Sequence, residues 1–109
     1  MKRMGMVIGI KPDRIAECKR THAAVWPAAL AKISDCNIQN YTIFLREPEN
    51  LLFDSFEYHG RDWAADAAKM AADPRTQEWW AIHEPMQAAL DSRKPGELWA
   101  MAEEVFHTD

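Results

Sequence analysis

The sequence has no apolar run long enough to cross a bilayer. The longest, Ala23 to Ala31, is nine residues and contains Pro27, whereas a spanning helix needs about twenty. No membrane partner is expected. Basic residues are not in excess: Lys and Arg number 13 against 17 Asp and Glu, a formal net charge of -4. Nucleic acid is not the expected partner either, because phosphate binding wants a basic face. Cysteine is sparse. Cys18 and Cys36 are the only two, as expected of free thiols in a reducing cytoplasm. Met1 to Gly5 carries Lys2 and Arg3 and goes straight into a strand-like run, without the apolar stretch and small-residue cleavage site of a signal peptide. A cytoplasmic location follows as the expectation. There is no GxGxxG, P-loop or GxSxG motif, so no nucleotide, flavin or phosphate cradle is visible and no cofactor is expected. Nor is there a Gly/Ser linker, charge run or low-complexity segment, so residues 1–109 read as one domain.

What the chain does have is an apolar share of 48% and five tryptophans beside two tyrosines. The first is enough for a core. The second is too much indole for so small a core to hide, so some tryptophans should line a surface, pocket or interface.

Hydrophobic periodicity gives the elements. Met4–Ile10 alternates and is rich in strand formers. Pro12 suits a first helical position, and Asp13 to about Ala24 reads as helix, with Ile15, Cys18, Lys19 and His22 at three- and four-residue spacing. Pro27 ends that helix near Val25 and opens another to about Ser34. Asn40–Leu45 and Leu51–Tyr58 read as strands joined by the turn Glu47–Asn50. Asp62–Ala72 and Thr76–Leu90 read as helices separated by Asp73-Pro74. After the turn Lys94-Pro-Gly96, Leu98–Phe106 reads as a fourth strand. The order strand, helix, strand, strand, helix, strand predicts an α+β, ferredoxin-like βαββαβ fold: an antiparallel sheet with helices on one face. The uncovered face is expected to show apolar residues such as Met6, Ile8, Phe56 or Trp99, and so to hold a ligand pocket or a second copy of the chain.

The densest set of reactive side chains is Cys18, His22 and Trp26, at i, i+4, i+8 on the first helix, with Pro27 disturbing the last turn. Histidine is the natural proton shuttle near neutral pH, although a lone helix histidine beside a core cysteine is more often structural. Cys18 and His22 have the spacing of half a metal site, but no third and fourth ligand stand at recognisable spacing, and no metal is expected. A Cys–His nucleophile would need an activated thiolate and an oxyanion hole, and no Gly-rich turn adjoins Cys18. Trp79 and Trp80 are adjacent, so on a helix their rings point about 100° apart and both cannot be core. One or both can serve as a sugar platform, a lid or a dimer contact. Tyr41 opens the second strand, as a half-buried structural residue or as an anchor for a polar ligand. His83 follows the tryptophan pair on the same helix. His59 and His107 read as exposed loop and terminal residues.

Taken together, these segments resemble the L-rhamnose mutarotase family over essentially the whole chain. The resemblance rests on Lys11-Pro12-Asp13, His22-Ala-Ala-Val-Trp26-Pro27, Asn40-Tyr41-Thr-Ile-Phe-Leu45, Asn50-Leu51-Leu52-Phe53, Trp79-Trp80 and Glu104-Val105-Phe106, in that order. It implies a dimeric α/β-barrel type of ferredoxin-like fold and cofactor-free interconversion of the α and β anomers of a free 6-deoxy sugar. It also implies His22 as proton donor, with Tyr41, Trp79 and Trp80 against the sugar. A further sugar-contacting tyrosine of the family falls at position 18, where this chain has Cys18. That departure removes a phenol from the substrate site and keeps L-fucose beside L-rhamnose as a candidate substrate. Opening a pyranose ring needs a proton delivered to the ring oxygen and one removed from the anomeric hydroxyl, and closing it reverses both. His22 is assigned the first task; water, Tyr41 or another histidine stand for the second. Two other classes compete: a ferredoxin-like dimer that only binds small molecules, and a cofactor-free monooxygenase of the same architecture with a closed apolar cavity.

Overall fold

The computed structural model describes residues 1–109. Strand β1 (Lys2–Ile10) leads through a 3-10 turn at Pro12–Arg14 into helix α1 (Ile15–His22), followed by helix α2 (Pro27–Asp35). Strands β2 (Ile38–Arg46) and β3 (Leu51–Tyr58) form the hairpin. Helices α3 (Trp63–Ala71) and α4 (Pro74–His83) come next, then the short strands β4 (Gln87–Ala88) and β5 (Ala100–Ala102). The sheet order is β2-β3-β1-β4, with β5 also on β1, and every pairing is antiparallel. This is the ferredoxin-like α+β arrangement that the element order predicts.

Local chemistry sets the element ends. Asp62 caps α3 by accepting from the Ala65 amide, and Asp73 caps α4 by accepting from the Thr76 amide at 2.9 Å, with Pro74 at the first helical position. Pro85 stops α4 at His83, because a proline there lacks the amide that the helix needs and clashes with the preceding turn. The helix therefore ends seven residues before Leu90, where the apolar spacing would carry it.

The fourth strand also departs from expectation. Leu98–Phe106 yields only Ala100–Ala102, opposite Val7 to Gly5, while Gln87–Ala88 occupies the other end of the same β1 edge. A Cβ on Gly9 would meet the Ala88 carbonyl oxygen at 2.5 Å. That close approach depends on glycine and lets β4 take the position. Residues 103–109 carry no regular structure.

The two faces of the sheet follow from register. Met4, Met6, Ile8 and Ile10 of β1 stand beside Phe56, Asp54 and Leu52 of β3 on one face. The helices cover that face in two apolar clusters. In the first, Ile8, Ile10 and Leu52 pack with Ile15 and Cys18 of α1 and with Met86, and Trp99 lies against them. In the second, Met4, Ile38, Phe56 and Tyr58 pack with Ile33, Trp63 and Met70. Met6, Ile8, Phe56 and Trp99, expected on the open face, thus belong to the covered one. A one-residue shift of phase reverses the assignment, and the sequence does not fix the phase. The open face shows Val7, Leu51 and the directly paired Phe44 and Phe53, the last two 61% and 41% exposed.

Candidate active site

Helix α1 ends at His22, and Trp26 stands in extended backbone before Pro27, as a residue before proline prefers. The regular stripe is therefore broken, yet its three members still meet. Cys18 is buried and anchors α1 to the sheet. His22 Nδ1 lies 2.8 Å from the Cys18 carbonyl oxygen. That oxygen can only accept, so Nδ1 carries a proton and donates it. His22 Nε2 is then the nitrogen free to exchange a proton with a ligand. The same bond rules out a Cys–His nucleophilic pair, although Sγ is 3.6 Å away, because Nδ1 has no lone pair left for the thiol. Burial also pushes the Cys18 thiol above its ordinary range, the wrong direction for a thiolate.

Helix α4 brings up the second wall. Trp79 meets His22 edge to face at 5.9 Å and Trp26 at 5.2 Å between ring centres, and the Arg75 guanidinium sits 4.4 Å over the Trp26 ring. His83 packs between them, 4.3 Å from Trp79 and 4.8 Å from His22. Its Nδ1 donates to the Trp79 carbonyl at 2.8 Å. Its Nε2 meets Thr21 Oγ1 at 2.8 Å, and that hydroxyl lies 3.0 Å from the Cys18 carbonyl. Burial, reinforced by the neighbouring His22, lowers the His83 pKa against the opposing Trp79 bond. The Thr21 hydroxyl donates to the Cys18 carbonyl and lies against His83 Nε2, so it bridges the two helices. The two histidines differ in kind: both nitrogens of His83 are engaged, while His22 keeps one free. Trp80 is 37% exposed and has no aromatic partner. Thr21 carries no sequence signal that singles it out.

Tyr41 belongs to a separate group on the sheet. A bulge between Gln39 and Thr42, with Asn40 at a left-handed φ of 52°, turns Tyr41 onto the helix-covered face. Its ring stacks on Phe56 at 5.4 Å, and its hydroxyl donates to Asp54 Oδ2 at 3.2 Å. Burial, followed by the Asp54 charge, pushes the phenol well above its usual pKa. Burial raises the Asp54 carboxyl to about 6; the Tyr41 hydroxyl and the Met6 backbone oppose this less strongly. His59 and His107 are exposed and pair with Glu57 and Asp109. No three His, Cys, Asp or Glu side chains converge as metal ligands.

A ferredoxin-like sheet covered by helices that bring a histidine with one free nitrogen against two tryptophans defines a small α+β protein with a candidate site on its helix layer. Comparison with known proteins sharpens that class. The family model for L-rhamnose mutarotase matches residues 3–108. The L-rhamnose mutarotase of Oceanobacillus iheyensis is 31% identical over the full length of both chains. The L-fucose mutarotase of Xanthomonas campestris pv. campestris is 34% identical over 97% of this chain and 87% of its own. The crystal structure of an L-rhamnose mutarotase from Formosa agariphila superposes with a TM-score of 0.79 over 100% of both chains, and at 20% identity that likeness is one of fold. The chain belongs to the L-rhamnose mutarotase family, and is thereby an aldose mutarotase, an isomerase of sugar anomers.

Proposed function

We propose that this chain, as one domain over residues 1–109, interconverts the α and β anomers of a free 6-deoxy sugar, L-rhamnose first, without a cofactor. The observation that carries the mechanism is His22: Nδ1 is pinned to a carbonyl and Nε2 is left free beside an indole wall. Protonated, Nε2 delivers its proton to the ring oxygen as the bond from C1 to that oxygen breaks, and the anomeric hydroxyl gives up its proton as C1 becomes an aldehyde. Rotation about C1–C2 presents the other face, and closure returns both protons. Trp79 offers its ring to the carbon face of the sugar, with Trp80 and Tyr41 as further contacts. Cys18, small and apolar, stands where the family carries a sugar-contacting tyrosine, and here it is packed in the core cluster. That feature and the Xanthomonas campestris relative favour L-fucose as the second substrate to examine. A pocket that distinguishes sugars mainly by apolar fit discriminates by modest factors. The open sheet face, with Phe44 against Phe53, supports a homodimer. Two free cysteines and no helix long and apolar enough to cross a membrane are in keeping with the cytoplasm.

The test is exchange NMR on the anomeric protons of L-rhamnose and L-fucose, with and without the protein. Acceleration of one sugar is expected, and His22→Ala, shown by circular dichroism to be folded, should lose roughly 100- to 10,000-fold of the catalysed rate. Full activity in that variant would remove His22 from the mechanism. Binding of both sugars with acceleration of neither would instead favour a module that only binds them.

A further inference from the structure

In the middle of the covered sheet face, between the two apolar clusters, Met6 and Ile43 pack against the clusters but a carboxyl group stands beside them. Register sets Met101, Met6, Asp54 and Ile43 side by side across four strands on that face. The flanking pairs, Met4 with Phe56 and Ile8 with Leu52, are sealed by the helices. In the row between them Met101 is exposed and Met6 and Ile43 are half-buried, and Tyr41 beside them is 40% exposed. The helix layer therefore covers this row less completely than its neighbours. Within it Asp54 is only 6% exposed. Oδ2 holds the Tyr41 hydroxyl, while Oδ1 is buried with no hydrogen-bond partner. A half-satisfied carboxyl group in a core position where Val or Leu would pack without penalty calls for a functional account.

We propose that Asp54 is a positioning residue of the sugar site: it holds the Tyr41 phenol with its proton turned inward, so that the phenolic oxygen accepts the proton of the anomeric hydroxyl while Asp54 takes the phenol's own. This rests on the mutarotase reading above and supplies its missing base. The step balances. The anomeric O–H bond breaks, its proton goes to Tyr41 Oη, and its electron pair forms the carbonyl at C1. The bond from C1 to the ring oxygen breaks with its pair on that oxygen, which takes the proton of His22 Nε2. The Tyr41 proton passes to Asp54 Oδ2, and ring closure reverses every transfer. A carboxylate with a pKa of about 6 suits the task, since a base is most effective when its pKa is near the working pH. Tyr41 on β2 is the titratable group in contact with it. β1 presents uncharged Met6, the neighbours on β3 are Leu52 and Phe56, and from the helix layer Cys18, His22 and His83 face the same side of the sheet.

Anomer exchange measured from pH 5 to 8 on the full chain tests this, with Asp54→Asn, Tyr41→Phe and the double variant. The Asn amide oxygen can still accept the Tyr41 hydrogen bond but cannot take its proton. Asp54→Asn should therefore lower kcat about 100-fold or more while KM moves less than about threefold. The rise in wild-type rate through about pH 6 should vanish in it, and the double variant should be no slower than the slower single one. An active wild type with an equally active Asp54→Asn variant, or single effects that multiply, would overturn the proposal and leave the mutarotase standing. A wild type that accelerates neither sugar would take both down. A measurement free of variant folding is carbon-detected NMR of the Asp54 carboxyl in the wild-type chain. A midpoint near 6 is expected, and one at the ordinary carboxylate value would also overturn the proposal.

Discussion

At the scale of the residue, a buried carboxyl ties folding to pH. Asp54 has a raised pKa in the folded chain, so between about pH 4 and 6 the native state binds more protons than the unfolded one. Stability is then fully present below about pH 4 and declines as pH rises through about 6. A rise from 3.8 to about 6 corresponds to roughly 3 kcal/mol as an upper bound. Urea unfolding across this range should show that decline in the wild type, and Asp54→Asn should lack it; parallel curves would mean that the carboxyl does not titrate in the fold. Much of the site at this scale was legible. Four-residue spacing brought Cys18 and His22 together, and adjacency forced Trp79 and Trp80 apart, one half-buried and one exposed. Asp54 left a quieter mark, a lone acid in phase with Leu52, Phe56 and Tyr58. The Asn40 bulge that turns Tyr41 toward it had none, because a bulge is set by pairing between strands rather than by the strand itself.

At the scale of the element, α4 carries the site's aromatic wall on a helix of ten residues, so its start matters. Asp73 accepts from both the amide and the hydroxyl of Thr76. Asp73→Ala should cost about 1 kcal/mol of unfolding free energy by denaturant titration. Because Trp79 and His83 ride on the same helix, weaker sugar affinity should accompany the loss. An unchanged stability would show that Pro74 alone suffices to start the helix. Proline and aspartate made this start readable in the sequence. Its end was misread because apolar spacing continues through Met86 and Leu90, while Pro85 removes a helical hydrogen bond regardless of that spacing. Strand four failed for a related reason. Which segment takes the free edge of β1 depends on the close approach of Gly9 to Ala88, a contact between distant parts of the chain.

At the scale of the whole molecule, the sheet separates two surfaces. Its helix side holds the apolar clusters, His22 and Asp54, and its open side holds Phe44 and Phe53. If copies of the chain meet through the open side, Phe44→Lys should shift the mass measured by light scattering from dimer to monomer, because a buried ammonium without a partner disfavours the contact. Catalysed exchange per chain should change little. A dimer that survives the substitution would place the interface elsewhere.

That division is written in odd and even numbers. Along β3 the even positions, Leu52, Asp54, Phe56 and Tyr58, look toward the helix layer, and the odd ones, Leu51, Phe53, Ser55 and Glu57, look away from it. Substitution at either set can drift independently, so the two faces of the sheet are free to evolve apart. Deleting one residue from the middle of β3 would instead exchange the two alphabets beyond the break, sending part of the helix-covered face outward and part of the outer face into the core.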